Sequence, residues 1–232
     1  MKKCNFTLLL ATCFSLLCAG VQAQVRIMPF GDSVTANGSS PESSYRYWLY
    51  QFLQNAGFNI DFIGSQNGVA DGAPANSNFD QNYEGGDGWT TSDALWAAGH
   101  GAAAQNPDIV LLDFGANDII NGVDPNTIKV NLEQTIETFR ASNPDVIILL
   151  AQPTPWVTTN RTEKRALSQL KGAIKAAAKT EKRAGAHVVL VNLASSFNAS
   201  RDTKDGTHPN VRGEQKIAKH YYSALRKILR RK

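Results

Sequence analysis

Beyond residue 24 the chain alternates short apolar runs with longer amphipathic stretches. Runs at 25–30, 60–64, 109–114, 146–151 and 188–193 predict five strands. Stretches at 44–56, 92–98, 125–141, 161–184 and 212–231 predict the helices between and after them. Within 125–141, Ile128, Leu132, Ile136 and Phe139 recur with the 3.6-residue period of one helix face. Several strand runs are apolar throughout instead of alternating, as parallel strands covered by helices on both faces are. Strand–helix repetition with no Pro/Gly/Ser linker predicts one doubly wound α/β layer structure. The long irregular stretch at 65–88, rich in Gly, Asn and Asp, reads as a functional loop.

The N-terminus follows other rules. Lys2 and Lys3 precede an apolar stretch at 6–17, and Val21-Gln22-Ala23 offers small residues for a signal peptidase. Residues 1–23 are therefore expected to be a secretory signal peptide and 24–232 the mature domain, periplasmic or extracellular. The apolar stretch is too short for a good membrane span. All three cysteines, Cys4, Cys13 and Cys18, fall inside this leader, so the mature domain has no cysteine nucleophile and no thiolate metal site. At 232 residues, 42% hydrophobic and 19% charged, the chain can bury a core without such staples. Loss of two leader lysines takes the formal charge from +4 to +2. The basic tail from Arg226 to Lys232 reads as the solvated last turn of a helix, where cations complement the dipole. No aromatic residues are interleaved with it, so nucleic acid is not an expected partner. A monomer is expected.

Four places at element ends carry candidate chemistry. Phe30-Gly31-Asp32-Ser33 puts a hydroxyl at the carboxyl end of the first strand, where open α/β sheets form their crevice. Asp205-Gly206-Thr207-His208 precedes the last helix and spaces a carboxylate three residues before an imidazole. A serine becomes a nucleophile when a base takes its proton and an acid orients that base. Of the four histidines, His187 opens an apolar run, His100 sits between glycines and His220 lies on an amphipathic helix. His208 alone has the carboxylate. The other two places supply N–H donors for an oxyanion: Gly88 at a loop-to-helix entry in Glu84-Gly85-Gly86-Asp87-Gly88-Trp89-Thr90-Thr91, and the Asn117 side chain in Gly115-Ala116-Asn117-Asp118. The Ser33 N–H would be the third donor. No paired histidines stand at metal-ligand spacing, so neither metal nor cofactor is expected.

Gly-Asp-Ser-x-Thr, Gly-x-Thr, Gly-x-Asn-Asp and Asp-x-x-His occur here in one order across the whole mature chain. That order resembles the SGNH, or GDSL-type, hydrolase superfamily. The resemblance implies a flavodoxin-like three-layer α/β/α sandwich around a mostly parallel five-stranded sheet. It also implies Ser33 as nucleophile, His208 as base, Asp205 as its orienting acid, and Ser33, Gly88 and Asn117 as the oxyanion hole. No Gly-x-Ser-x-Gly surrounds Ser33, which separates the chain from hydrolases with a nucleophile elbow.

A narrower similarity rests on Arg26-Ile27-Met28-Pro29-Phe30-Gly31-Asp32-Ser33, Tyr45-Arg46, Asp61-Phe62-Ile63-Gly64-Ser65, Glu84-Gly85 with Gly88-Trp89-Thr90, and Asn106-Pro107-Asp108-Ile109-Val110. These look like secreted acetylxylan esterases of carbohydrate esterase family 3. Gly86, Asp87 and Asp113 depart from that pattern. The resemblance implies removal of acetyl groups from a polysaccharide such as xylan. Asp32, Arg46, Trp89 and Trp156 are the candidate substrate contacts, with Tyr83 a further possible cleft wall. A lipase, thioesterase or arylesterase on the same scaffold is the alternative, and a silent carbohydrate-binding protein the third reading.

Overall fold

A computed structural model describes residues 23–38, 40–158 and 160–231. Apart from Ala23, the expected leader lies outside the described residues. The apolar runs form β1 (Val25–Gly31), β2 (Ile60–Phe62), β5 (Ile109–Asp113), β6 (Ile147–Gln152) and β7 (His187–Asn192). All five are parallel and lie in the order β2-β1-β5-β6-β7. The order reverses between β1 and β5, and a doubly wound sheet opens its crevice beyond the carboxyl ends at that reversal.

The sheet has seven strands among the described residues, not the five expected. The stretch at 65–88 supplies both extra strands, β3 (Gln66–Asn67) and β4 (Asn82–Gly85). β2 pairs only with the start of β1, and β4 takes over the same edge at Phe30 and Gly31. β3 runs antiparallel to β4. An added Cβ at Gly85, whose φ is +139°, would overlap the Gly31 carbonyl oxygen. Only glycine lets β4 close on β1 there.

The helices are α1 (Ser33–Ala36), α2 (Ser44–Asn55), α3 (Thr91–Ala97), α4 (Ala116–Ile120), α5 (Pro125–Ser142), α6 (Arg161–Arg183), α7 (Ala199–Asp202) and α8 (Val211–Leu229). Because side chains alternate across a strand, each apolar run feeds two cores. Phe30, Val110, Leu112, Ile148 and Leu150 pack with α3, α5 and α6. Ile27, Ile109, Leu111, Leu149 and Val191 pack with α2 and α8. The stripe Ile128, Leu132, Ile136 and Phe139 is buried, as its period predicted. Three layers result, helices on both faces of a mostly parallel sheet. Long helices start where a side chain satisfies the first free N–H groups: Asp124 caps α5, Asn160 α6 and Asn210 α8.

Candidate active site

Ser33 is set by what lies under it. Gly31 ends β1 between Gly85 on one edge and Asp113 on the other. The Asp32 carboxylate then accepts the Val34 N–H at 3.0 Å and caps the single turn of α1. Ser33 is the first residue of that turn, at the carboxyl rim. Asp32, expected at the substrate, is 5% exposed and faces backbone instead. Burial, opposed in part by the Val34 N–H and by His208, pushes its carboxyl up to about 6.

The turn bearing His208 holds itself together. Asp205 Oδ1 accepts the backbone N–H groups of Thr207 (2.9 Å) and His208 (2.7 Å), and its Oδ2 lies 2.7 Å from His208 Nδ1. Partial burial opposes the charge, but the His208 ring and these two N–H groups outweigh it and hold the Asp205 carboxyl at about 2. Asp205 is thus an anion near neutral pH, and an anion can only accept. Nδ1 of the neutral ring must carry the hydrogen, which leaves the Nε2 lone pair facing outward. Nε2 lies 3.0 Å from Ser33 Oγ. The relay spans 175 residues of sequence through two hydrogen bonds. The turn is seated by Thr203 Oγ1, which accepts the Gly206 N–H, and by the Gly206 carbonyl, which accepts from Val157.

The donor side is stitched from three loops. Gly86 N–H donates to the Gly31 carbonyl, and Trp89 N–H to the Gly86 carbonyl, closing a turn in which Gly88 has φ +72°. Asn117, in α4 directly beyond β5, donates from Nδ2 to the Trp89 carbonyl at 2.9 Å. Gly88 and Asn117 therefore share one rim with Ser33. Asp118 locks this arrangement: its buried carboxylate accepts the Thr91 N–H at 2.8 Å and the Thr91 hydroxyl. Its partner lies 27 residues away, so spacing held no signal for it.

Two further carboxylates are buried near the site. Glu214, in the first turn of α8, accepts from Ser43 N–H and Trp48 Nε1, each at 3.2 Å, and ties α8 to the start of α2. Burial pushes its carboxyl up to about 7. Asp113 is 3% exposed, its Oδ1 has no partner, and burial together with the Asp32 charge pushes it well above the usual range.

Of the remaining expected contacts, Arg46 is a correction. It is fully buried, donating to the carbonyls of Thr35, Gln81 and Gly68, with its guanidinium 4.1 Å from the Tyr83 ring centre. It pins the stretch at 65–88 to α1, and Tyr83, 4% exposed, is packed beneath it and lines no cleft. Trp89 is half-buried against the core on the α3 side. Trp156 lines a largely apolar groove of about 490 Å³ with Ile119, Ile120, Val157 and Ala166, between α4 and the start of α6. The other histidines are engaged elsewhere: His100 stacks on Trp96, and His220 Nε2 lies 2.8 Å from the Ser195 carbonyl. Among the described residues no group of three or more His, Cys, Asp or Glu is placed to hold a metal.

Fold and site together define a class: a doubly wound α/β protein whose rim carries the constellation used for acyl transfer at a serine. The model of the GDSL-like Lipase/Acylhydrolase family matches residues 30–216, and the chain belongs to that family. A Clostridium thermocellum family 3 carbohydrate esterase is similar at 31% identity and TM-score 0.75, over 90% of this chain and 98% of that one. An acetyl esterase variant solved with an acetate ion is similar at 25% identity and TM-score 0.76, over 89% and 99%. The Multidomain esterase of Ruminococcus flavefaciens is 27% identical over 89% of this chain, which spans 29% of that longer protein.

Proposed function

We propose that the protein is a secreted serine esterase that removes O-acetyl groups from a polysaccharide such as acetylated xylan. The observation that carries this is the unbroken relay from Asp205 through His208 to the Ser33 hydroxyl. Ser33 Oγ attacks the ester carbonyl while its proton passes to His208 Nε2. The oxyanion is met by N–H groups of Ser33 and Gly88 and by the Asn117 side chain. As the tetrahedral intermediate collapses, His208 gives its proton to the leaving sugar oxygen and acetyl stays on Ser33. Water then attacks the acyl-enzyme, losing a proton to His208, and acetate leaves as that proton returns to Ser33. Asp205 remains an anion throughout and stabilises the imidazolium. The carbohydrate and acetyl choices draw on the similarity to the family 3 and acetyl esterases above.

The apolar groove at Trp156 favours a second reading, esters of aryl or longer acyl groups, for which it offers dry contact area. Among the described residues no helix is long and apolar enough to cross a membrane. One comparison decides between the readings. The wild type is expected to release acetate from acetylated xylan and to hydrolyse p-nitrophenyl acetate, and Ser33→Ala to lose about 10⁴-fold or more of both. A preference of tenfold or more for longer acyl esters would replace the first reading by the second. Turnover surviving Ser33→Ala would remove both.

A further inference from the structure

Charge is segregated along this chain. Residues 161–232 hold 18 of its 24 lysines and arginines but only five of its 20 acidic residues. Many of these cations lie on α6 and at the end of α8, which pack on opposite faces of the sheet beside β7. β7 is an open edge that pairs only with β6 among the described residues. On α6, Lys164, Lys171, Lys175, Lys179 and Lys182 fall at intervals of seven, four, four and three, which places them on one narrow face. From first to last they span about 27 Å, starting beside the Trp156 groove and descending along β7. None of the five takes part in an ion pair among the described residues. Lys175, Lys179 and Lys182 line a groove of about 340 Å³ against Leu190 of β7. On the other face of the same strand, a groove of about 500 Å³ is lined by Val189, Val191, His220, Lys227 and Arg231.

Cations placed this way would lower the stability of the fold if nothing answered them, since like charges three and four apart repel. They also focus a field that attracts polyanions along the helix. We propose that the lysine face of α6 beside β7 docks a linear polysaccharide bearing carboxylates, leading such a chain toward the Ser33 rim. The choice of a carbohydrate rests on the function proposed above. The side chains agree with it: the stripe holds lysines, point charges that suit spaced carboxylates, and lacks the interleaved aromatic rings on which nucleic-acid bases stack. The proposal thereby names a substrate class, an acylated polymer that also carries uronic acid groups.

The test compares wild type with Lys171→Gln/Lys175→Gln/Lys179→Gln/Lys182→Gln and with the same four positions changed to Arg, all checked for a thermal midpoint no lower than that of wild type. Polygalacturonate is the probe, neutral xylan the control, and duplex DNA and anionic phospholipid vesicles the competing partners. Wild type and the Arg variant are expected to bind polygalacturonate in a salt-sensitive way. The Gln variant should bind it about tenfold or more weakly while hydrolysing p-nitrophenyl acetate at the wild-type rate. Binding no stronger than to neutral xylan, or equal binding by the Gln variant, overturns the proposal, as does tighter binding to DNA or vesicles. Acetate release from neutral acetylated xylan reports on the esterase reading alone, so the two can fail separately.

Discussion

The two sides of the relay are held in opposite ways. Ser33 sits on a buried foundation: Gly31 is clamped between β4 and β5, and Asp32 is turned inward to cap α1. The Asp205–His208 turn is exposed, 48% and 29% at the two side chains, and its geometry comes from hydrogen bonds within four residues. A nucleophile must meet donors from several loops, so its place has to be set by the sheet that all those loops leave. An acid–base pair only has to be aligned internally and then delivered as a unit. Changes beneath Ser33 should therefore cost stability along with activity, whereas changes in the turn should cost mainly activity.

Asp205→Asn makes the largest test of that contrast. Turnover of p-nitrophenyl acetate should fall about 10³–10⁴-fold, since the amide can leave the ring in the wrong tautomer. Its thermal midpoint should stay within a few degrees of wild type, and an unfolded Asp205→Asn protein would break the comparison. Asn117→Ala should lower kcat by about 10²–10³ with little change in KM, the signature of a donor used in the transition state. Asp118→Ala belongs to the buried side. It strands the Thr91 N–H and hydroxyl, and urea unfolding should show a loss of about 2–4 kcal/mol, with turnover falling as the Gly88 loop loosens.

The smallest effect is a pH dependence. Glu214 has a folded-state value of about 7 against an ordinary 4.5, so the folded protein holds this proton more tightly than the unfolded chain. Stability from this source is complete below 4.5 and is lost as pH rises through 7. Asp32, raised from 3.8 to about 6, acts in the same direction, while Asp205, lowered to about 2, adds stability above 3.8 that is lost only as pH falls toward 2. Glu214→Gln keeps an oxygen for Ser43 and Trp48 and removes the ionisation. It should gain on wild type by about 1–2 kcal/mol between pH 5 and 8 in urea unfolding. A constant difference across that range would show that Glu214 is not the group being titrated.

The five apolar strands were legible because apolar runs announce burial on both faces, and helix ends came within one or two residues wherever a period and a capping residue coincided. β3 and β4 were not legible. Gln66–Asn67 and Asn82–Gly85 are short and polar, and they are strands only because Gly85 can reach the Gly31 carbonyl. Arg46 misled for a related reason. A cation on an amphipathic helix suggests solvent or substrate, but one carbonyl of α1 and two of the stretch at 65–88 meet its guanidinium and offset the cost of burial.

By itself the sequence determined the alternation of strand and helix, the Ser33 motif and the Asp205–His208 turn, since each depends on neighbours a few residues apart. Tertiary structure decided that Ser33 Oγ meets His208 Nε2, that Asp118 reaches Thr91, and that Asp32 and Arg46 turn inward. It also set lysines of α6 and cations at the end of α8 beside one open strand. These are contacts across a sheet, set by which loops leave its rim together, and no spacing along the chain records that.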